Sequence, residues 1–315
     1  MGVSPQILLP SDHTGLNPLS LGSTSVTDFL DRHPGGSKII LQHAGKDCTQ
    51  IYTPIHPPNT IENTLDPSKR VGRLDPDAAQ SVLVQKSSAE TDDDERTRKA
   101  RSKLGHIDAE VVNVADFERI AKDVLSKHAW AYYHSAADGG SARDHAHSAY
   151  DRILFRPRVL RRVKDVDPST SILGVRSSLP IYISPAALAR LGDPDGEMNL
   201  TKGAATKSII HVVSHVASCS LEELNSVRQP GQPMMWQLYV TPDRAQTEAS
   251  IKKAVAQGMD AIWVTVDTPV LGKRVEDRRF ALERDPPTDD KPTAVRAGSV
   301  DKDAILFDSP SALQH

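Results

Sequence analysis

Cysteine is scarce in this chain, and several other common signals are missing. The two cysteines, Cys48 and Cys219, lie far apart in the 315 residues, which excludes a disulfide framework. No run of about eighteen apolar residues occurs, so the sequence predicts no membrane-spanning helix. The net charge of −3 and the lack of a long basic run argue against nucleic acid as a partner. Residues 1–15 show neither a secretory nor a mitochondrial targeting pattern.

Hydrophobic residues make up only 38% of the chain, which indicates that some segments are not packed into a core. Residues 85–103 and 284–302 mix both charge signs without apolar periodicity, as solvated segments do. The length favours about two domains. We therefore predict a small domain over residues 1–80, a charged flexible linker over 81–106 and a larger domain over 107–315.

The larger domain alternates short apolar runs with helical patterns. Runs rich in β-branched and aromatic residues suit strands that are buried on both faces of a parallel sheet. These runs are residues 179–185, 209–215, 234–240 and 260–267. Four βα-type units in series predict an α/β fold.

The helices between these runs have recognisable ends. Ser220 and Glu223 have the spacing of a capping box. Thr241 is expected to cap the next helix, with Pro242 in its first turn and Gly258 at its end.

Polar residues stand at the end of every apolar run: Ser184, Ser214, Gln237 with Tyr239, and Thr265 with Asp267. One such residue is uninformative, because ordinary strand ends are often capped by polar groups. The carboxyl ends of the strands build the active site of a βα barrel, so the same pattern on four strands favours a functional site.

In the small domain, a histidine directly precedes Pro-Gly-Gly. Pro34 fixes its own φ and moves His33 away from the helical region, while Gly35 and Gly36 leave space beside the backbone. His33 is therefore either an exposed residue on a capped turn or a metal ligand that needs a partner.

Longer stretches of both domains carry a family resemblance. In the larger domain they are AWAYYHSAAD (129–138), AYDRILFRPRVL (149–160), LPIYISPAAL (179–188), SHVASCSLEEL (214–224), WQLYV (236–240) and VTVDTPVLGKR (264–274). They resemble the FMN-dependent 2-hydroxy-acid dehydrogenases and oxidases. FLDRHPGG and YTPIHPPNTI of the small domain are similar to a cytochrome b5-like haem module. The resemblance implies the first half of a TIM (β/α)8 barrel, preceded by a small α+β cytochrome b5-like domain with atypical N-terminal strands.

The haem resemblance implies a partner for His33. His33 and His56 would be the two axial ligands of a b-type haem, and a six-coordinate iron favours electron transfer. His43 is a competing ligand, and two purely structural histidines are the remaining alternative.

The flavin resemblance implies roles for residues at the strand ends. The backbone of Ser184, Pro185, Ala186 and Ala187 would face the FMN ring, and Ser214, Gln237 and Thr265 would hydrogen-bond its polar atoms. Such contacts tune a cofactor that performs the redox step itself.

Substrate and catalytic roles are implied in the same way. Tyr132 and Tyr239 would bind and orient the substrate, and Arg274 would place a cation near its carboxylate or near the flavin. Asp267 would support the family's catalytic histidine, and Tyr239 would act beside it. Core packing with a satisfied hydroxyl is the alternative for each tyrosine.

The resemblance implies oxidation of L-lactate to pyruvate, with electrons passing through haem to cytochrome c. Mandelate and glycolate are alternative 2-hydroxy acids. A full barrel has eight βα units over about 250 residues, whereas four strand patterns are present here. The family's His-Gly-Gly-Arg sequence, which carries the catalytic base, does not occur. A haem-binding electron-transfer module with a vestigial half-barrel, and a fragment that binds neither cofactor well, are therefore alternatives.

The family also implies a homo-oligomer in the mitochondrial intermembrane space. Because no targeting segment is readable, the cytoplasm is the alternative location.

Overall fold

A computed structural model describes residues 6–10, 21–33, 40–41, 43–44, 48–53, 55–57, 60–73, 92–104, 111–241, 243–267 and 272–284. They fall into two compact units. The first contains the described residues up to 73 and those of 164–267, and the second contains those of 92–163 and 272–284. No helix in these ranges is both long and apolar enough to cross a membrane.

The small domain has a three-stranded antiparallel sheet and short helices. Strand β1 (Gln6–Pro10) pairs with β2 (Leu21–Ser25), and β2 pairs with β3 (Arg70–Arg73), with an irregularity between Ser23 and Thr24. A 3-10 helix, Thr27–Arg32, leads directly to His33. Helices α1 (Thr49–Tyr52) and α2 (Thr60–Thr64) lie on either side of His56 along the chain. The hydrophobic core of the small domain contains Val26, Ile40 and Cys48, packed against Phe29, Leu30, Tyr52, Ile61 and Leu65.

The second unit is helical. It contains α3 (Asp92–Lys103), α4 (Val114–Val124), α5 (Lys127–His134) and α6 (Ser141–Ala149). Asn113 and Asp116 form a capping box at the start of α4, and Ser126 caps α5 by accepting from the Ala129 N–H.

Helix α3 differs from the prediction of a flexible linker. Its acidic first turn and basic last turn both complement the helix dipole. The Arg96 side chain donates to the Asp123 and Leu125 carbonyls, each at 2.7 Å, and thereby ties α3 to the end of α4. Apolar periodicity did not show this helix because charges and backbone carbonyls, rather than an apolar face, make its contacts.

A hairpin of β4 (Thr170–Ile172) and β5 (Val175–Ser177) precedes the main sheet. Its turn residues, Leu173 and Gly174, both have positive φ, as a tight hairpin turn requires. The main sheet contains the strands β6 (Tyr182–Ile183), β7 (Ile210–Val213), β8 (Met234–Leu238) and β9 (Ile262–Val264). The helices α7 (Glu197–Lys207), α8 (Leu221–Val227) and α9 (Arg244–Ala256) connect these strands in chain order.

The four strands are parallel and adjacent in the order β6-β7-β8-β9. Every residue of β7 and β8 is buried, as the apolar runs predict for central strands of a parallel sheet. The predicted α/β architecture of this region is therefore confirmed.

Two predicted helix boundaries are confirmed and one is wrong. Ser220 and Glu223 form the capping box of α8, and Gly258 has φ +74° just beyond the end of α9. Asp243, not Thr241, caps α9, because its carboxylate accepts from the Gln246 N–H. The Thr241 hydroxyl donates to the Asp243 carbonyl instead. Pro242 lies outside the described residues.

The last helix within the described residues, α10 (Val275–Arg284), belongs to the second unit and packs against α5. The segment before α10 runs close to the residues after α5. The Asp138 N–H donates to the Lys273 carbonyl at 2.8 Å, and a Cβ on Gly272 would lie 2.6 Å from that of Ala137. Gly272 of the TVDTPVLGKR stretch is therefore required by this close approach.

Candidate functional site

A hydrogen-bonded row of polar side chains follows the carboxyl ends of β7, β8 and β9. The Gln237 carboxamide donates from Nε2 to Thr265 Oγ1 at 2.8 Å. Its Oε1 accepts from the His215 N–H at 3.0 Å and from Ser214 Oγ at 3.4 Å. Ser214 and Gln237 are buried, and Thr265 is half-buried. The three residues predicted to hydrogen-bond the polar atoms of the flavin are thus brought together.

Tyr239 joins this row through His215. The Tyr239 N–H donates to His215 Nδ1 at 3.0 Å, and the two ring centroids lie 6.1 Å apart. Tyr239 is half-buried and follows β8 directly, one residue past its end. The sequence analysis assigned no role to His215, although it stands in the stretch SHVASCSLEEL; only the pairing of β7 with β8 brings it to Tyr239.

The segment after β6, which the resemblance places against the flavin ring, is irregular. Ser184 and Ala186 are exposed, and Pro185 and Ala187 are half-buried. Leu188 then has φ +60°, a left-handed conformation, before a 3-10 helix over Ala189–Leu191. These residues lie at the same end of the sheet as Ser214, because β6 and β7 are parallel neighbours.

A buried carboxylate joins the loops after β6 and β7. Glu197, only 1% exposed, accepts from the Ala189 N–H at 3.0 Å, from the Ser218 N–H and hydroxyl at 2.9 and 2.7 Å, and from the Cys219 N–H at 3.0 Å. Burial raises the pKa of this carboxyl, but these hydrogen bonds outweigh it and hold the pKa below its usual range. Sequence reasoning also missed Glu197, which reads as an ordinary acidic residue in the first turn of α7.

Tyr132 and Arg274 lie together in the second unit. The Arg274 guanidinium carbon stands 4.3 Å from the centroid of the Tyr132 ring, and Arg274 Nη2 donates to the Tyr132 carbonyl. Arg274 Nε is buried and has no hydrogen-bond partner within the described ranges. This orphaned donor suits an anionic group such as a carboxylate.

Asp267 is exposed and lies beyond β9, past Thr265. It therefore follows the same strand end as Thr265. Its pairing with a catalytic histidine stays a prediction.

The paired histidines of the small domain lie at a distance that fits one metal ion. The ring centroids of His33 and His56 are 6.0 Å apart. This separation leaves room for one metal ion between the two rings, and His33 and His56 would hold the iron of a haem bound here. His56 Nδ1 contacts the Tyr52 carbonyl at 3.2 Å, which leaves Nε2 for the metal.

The surroundings of His56 favour the neutral imidazole that a metal requires. Burial lowers its pKa to about 4, against the opposing effect of the hydrogen bond to the Tyr52 carbonyl. The Tyr52 ring stacks on His56 with centroids 4.1 Å apart, and Phe29 contacts His33 edge-on. The residues present therefore fit a haem with two imidazole ligands. His43, the competing ligand, follows Ile40 and Leu41 in a helical stretch.

Parallel βα units with a polar row at their carboxyl ends, and a separate pair of neighbouring histidines, are the arrangements that the resemblance implies for a flavin-binding domain and a haem module. The comparisons with known proteins agree. Residues 121–302 match the FMN-dependent dehydrogenase family, and residues 25–75 match the cytochrome b5-like haem/steroid-binding domain. The chain belongs to the FMN-dependent dehydrogenase family, whose cofactor is FMN, and carries a cytochrome b5-like domain, whose cofactor is haem.

Two yeast relatives share both parts. The L-lactate dehydrogenase (cytochrome) of Wickerhamomyces anomalus is 44% identical over 260 residues, which are 82% of this chain and 44% of that protein. The protein of the same name from Saccharomyces cerevisiae is 36% identical over 283 residues, or 88% of this chain and 47% of that one. The chain thus spans about half the length of the curated relatives it matches.

Solved structures give the same fold. The flavin-binding domain of baker's yeast flavocytochrome b2 is 37% identical with a TM-score of 0.59, over 62% of this chain and 51% of that chain. A mandelate oxidase variant with (S)-mandelic acid is 30% identical with a TM-score of 0.52, over 54% and 50%. The predicted half of a TIM barrel and its haem-module partner are therefore confirmed.

Proposed function

We propose that the protein supplies the haem module and the first four βα units of an L-lactate dehydrogenase that passes electrons to cytochrome c. The observation that carries the proposal is the row Ser214–Gln237–Thr265 at adjacent strand ends, in a chain that also pairs His33 with His56. When bound, FMN would accept two electrons from the substrate, and haem would relay them one at a time.

The chain's own residues have definable tasks in this proposal. Gln237 presents a carboxamide whose two ends are fixed by Thr265 and by the His215 N–H, so it meets a polar ring edge without reorganisation. Tyr239 orients the substrate from the end of β8. Arg274, held on the Tyr132 ring, keeps its orphaned Nε–H for an anionic group.

The substrate class follows from the relatives. Two are named for L-lactate, and another, glycolate oxidase 3 of Arabidopsis thaliana, is 41% identical over 177 residues. A 2-hydroxy acid is common to these names. L-lactate is the proposed member, because the lactate relatives match the haem module as well as the flavin part. Cytochrome c as acceptor, a homo-oligomer and the mitochondrial intermembrane space complete the proposal and rest on the family resemblance.

Titration with FMN tests the proposal. FMN fluorescence should be quenched on binding to the 315-residue chain, and Gln237→Leu should weaken the affinity at least about tenfold by removing both polar ends of the carboxamide. Gln246→Leu, an exposed substitution on α9, is the matched control and should bind like the wild type. Haem retention without FMN binding would contradict the proposal and leave an electron-transfer module.

A further inference from the structure

His215 contacts Gln237 of β8 and Tyr239 just past its end, the residues proposed above to bind the flavin and the substrate. Its backbone N–H holds Gln237 Oε1, and its ring nitrogen Nδ1 accepts the Tyr239 N–H. The imidazole also lies against Trp236, with ring centroids 5.1 Å apart. His215, in the loop after β7, thus contacts Trp236 and Gln237 of β8 and also Tyr239, which follows that strand.

The bond to Tyr239 fixes the form of the imidazole. A backbone N–H can only donate, so Nδ1 must be unprotonated and the proton of the neutral ring must sit on Nε2. Burial lowers the pKa of His215, which keeps the ring in this neutral form. In this tautomer the ring holds the backbone of Tyr239 rather than serving as a base through Nδ1.

Tyr239 needs such support because regular pairing ends before it. Strand β8 stops at Leu238, and its last ladder partner on β7 is Val213, which pairs with Trp236. Past that point the side chain of His215 replaces a ladder carbonyl as the acceptor of the Tyr239 N–H. Without that acceptor, a partly buried N–H would be left unsatisfied, which destabilises the backbone conformation that Tyr239 adopts here.

We propose that His215 is a positioning residue, whose Nδ1 holds the end of β8 and thereby sets the place of the Tyr239 side chain toward the substrate. The inference rests on the proposed function, since it assigns Tyr239 to substrate binding. It predicts that the imidazole matters for substrate affinity much more than for FMN affinity, because the backbone N–H that fixes Gln237 is unaffected by side-chain changes.

Two substitutions in the full chain separate this role from general packing. In His215→Asn, the carboxamide oxygen can occupy the place of Nδ1 and accept the same N–H. In His215→Leu, the volume is similar but the acceptor is lost. His145→Leu, at an exposed position on α6, is the matched control.

Amide hydrogen exchange at Tyr239 is the first measurement, and the dissociation constant of pyruvate for the FMN-loaded chain is the second. We expect His215→Leu to speed exchange and weaken pyruvate binding by about tenfold each, with FMN affinity within about threefold of the wild type. His215→Asn should restore both properties. Equal rates of Tyr239 amide exchange in the wild type, His215→Leu and His215→Asn would overturn the inference. If the wild type fails to bind FMN, the proposed function fails, while the exchange data still decide whether His215 positions Tyr239.

Discussion

The carboxamide of Gln237 donates to the hydroxyl of Thr265 at 2.8 Å, across the boundary between β8 and β9. This hydrogen bond links the polar side chains at the carboxyl ends of the two strands. Gln237 Oε1 is already engaged by His215 and Ser214, so the orientation of the whole amide is set before any ligand arrives.

Loss of the Thr265 hydroxyl should loosen that orientation. Thr265→Val keeps the side-chain shape but leaves Gln237 Nε2 without its acceptor. We expect FMN affinity to fall by about 1 kcal/mol, or several-fold, in a fluorescence titration. Thr206→Val on the exposed face of α7 is the control. Unchanged affinity in Thr265→Val would show that Gln237 does not depend on this bond.

Much of this site was predictable because strand patterns carry it. The apolar runs predicted β6 to β9, and their polar ends predicted Ser214, Gln237 and Thr265 as neighbours. His215 and Glu197 were not predictable, since their partners lie on other strands and loops that become neighbours only after folding. Helix α3 was missed for a similar reason, because Arg96 bonds to carbonyls at the end of α4.

Glu197 should be a major determinant of stability. Glu197→Gln would replace one carboxylate oxygen, which now accepts hydrogen bonds, with an NH2 group that can only donate. We expect the free energy of unfolding in urea to fall by about 3 kcal/mol, since each hydrogen bond to a charged group contributes about 1.5–3 kcal/mol and the four are not additive. Glu248→Gln, which removes only an exposed pair with Lys252, should leave the unfolding midpoint almost unchanged. A similar loss in both variants would refute the special role of Glu197.

The buried His211 should make the fold acid-sensitive. Burial lowers its pKa to about 4, and Nδ1 contacts the Thr201 hydroxyl at 3.1 Å. The unfolded chain, with an ordinary histidine pKa of about 6.5, binds the proton more readily. Stability is therefore complete above about pH 6.5 and declines as the pH falls towards 4, by about 3 kcal/mol for this residue.

Urea unfolding at several pH values checks this dependence. His211→Gln should flatten the slope between pH 4 and 6.5 relative to the wild type, and the difference between the two proteins isolates His211 from other histidines. Parallel pH profiles would contradict the assignment.

Catalysis needs a general base, and the chain contains no His-Gly-Gly-Arg sequence. Loss of a general base slows a reaction by about 10²–10⁴-fold. We therefore predict that this chain, loaded with FMN and haem, reduces cytochrome c with L-lactate at least about 10²-fold more slowly than a chimera extended by the second half of the Wickerhamomyces anomalus relative. Comparable rates would reveal that another residue of these 315 supplies the base.

The most direct measurement is the absorption spectrum of the full chain after incubation with haemin and FMN and removal of the excess. We expect a low-spin, six-coordinate haem spectrum and a flavin band, with one equivalent of each cofactor per chain. His33→Ala and His56→Ala should each lose the low-spin haem but keep FMN. His43→Ala should keep both, and Gln237→Leu should keep the haem but retain less FMN than the wild type. A low-spin spectrum that survives both axial substitutions, or wild-type protein that emerges without flavin, would contradict the account.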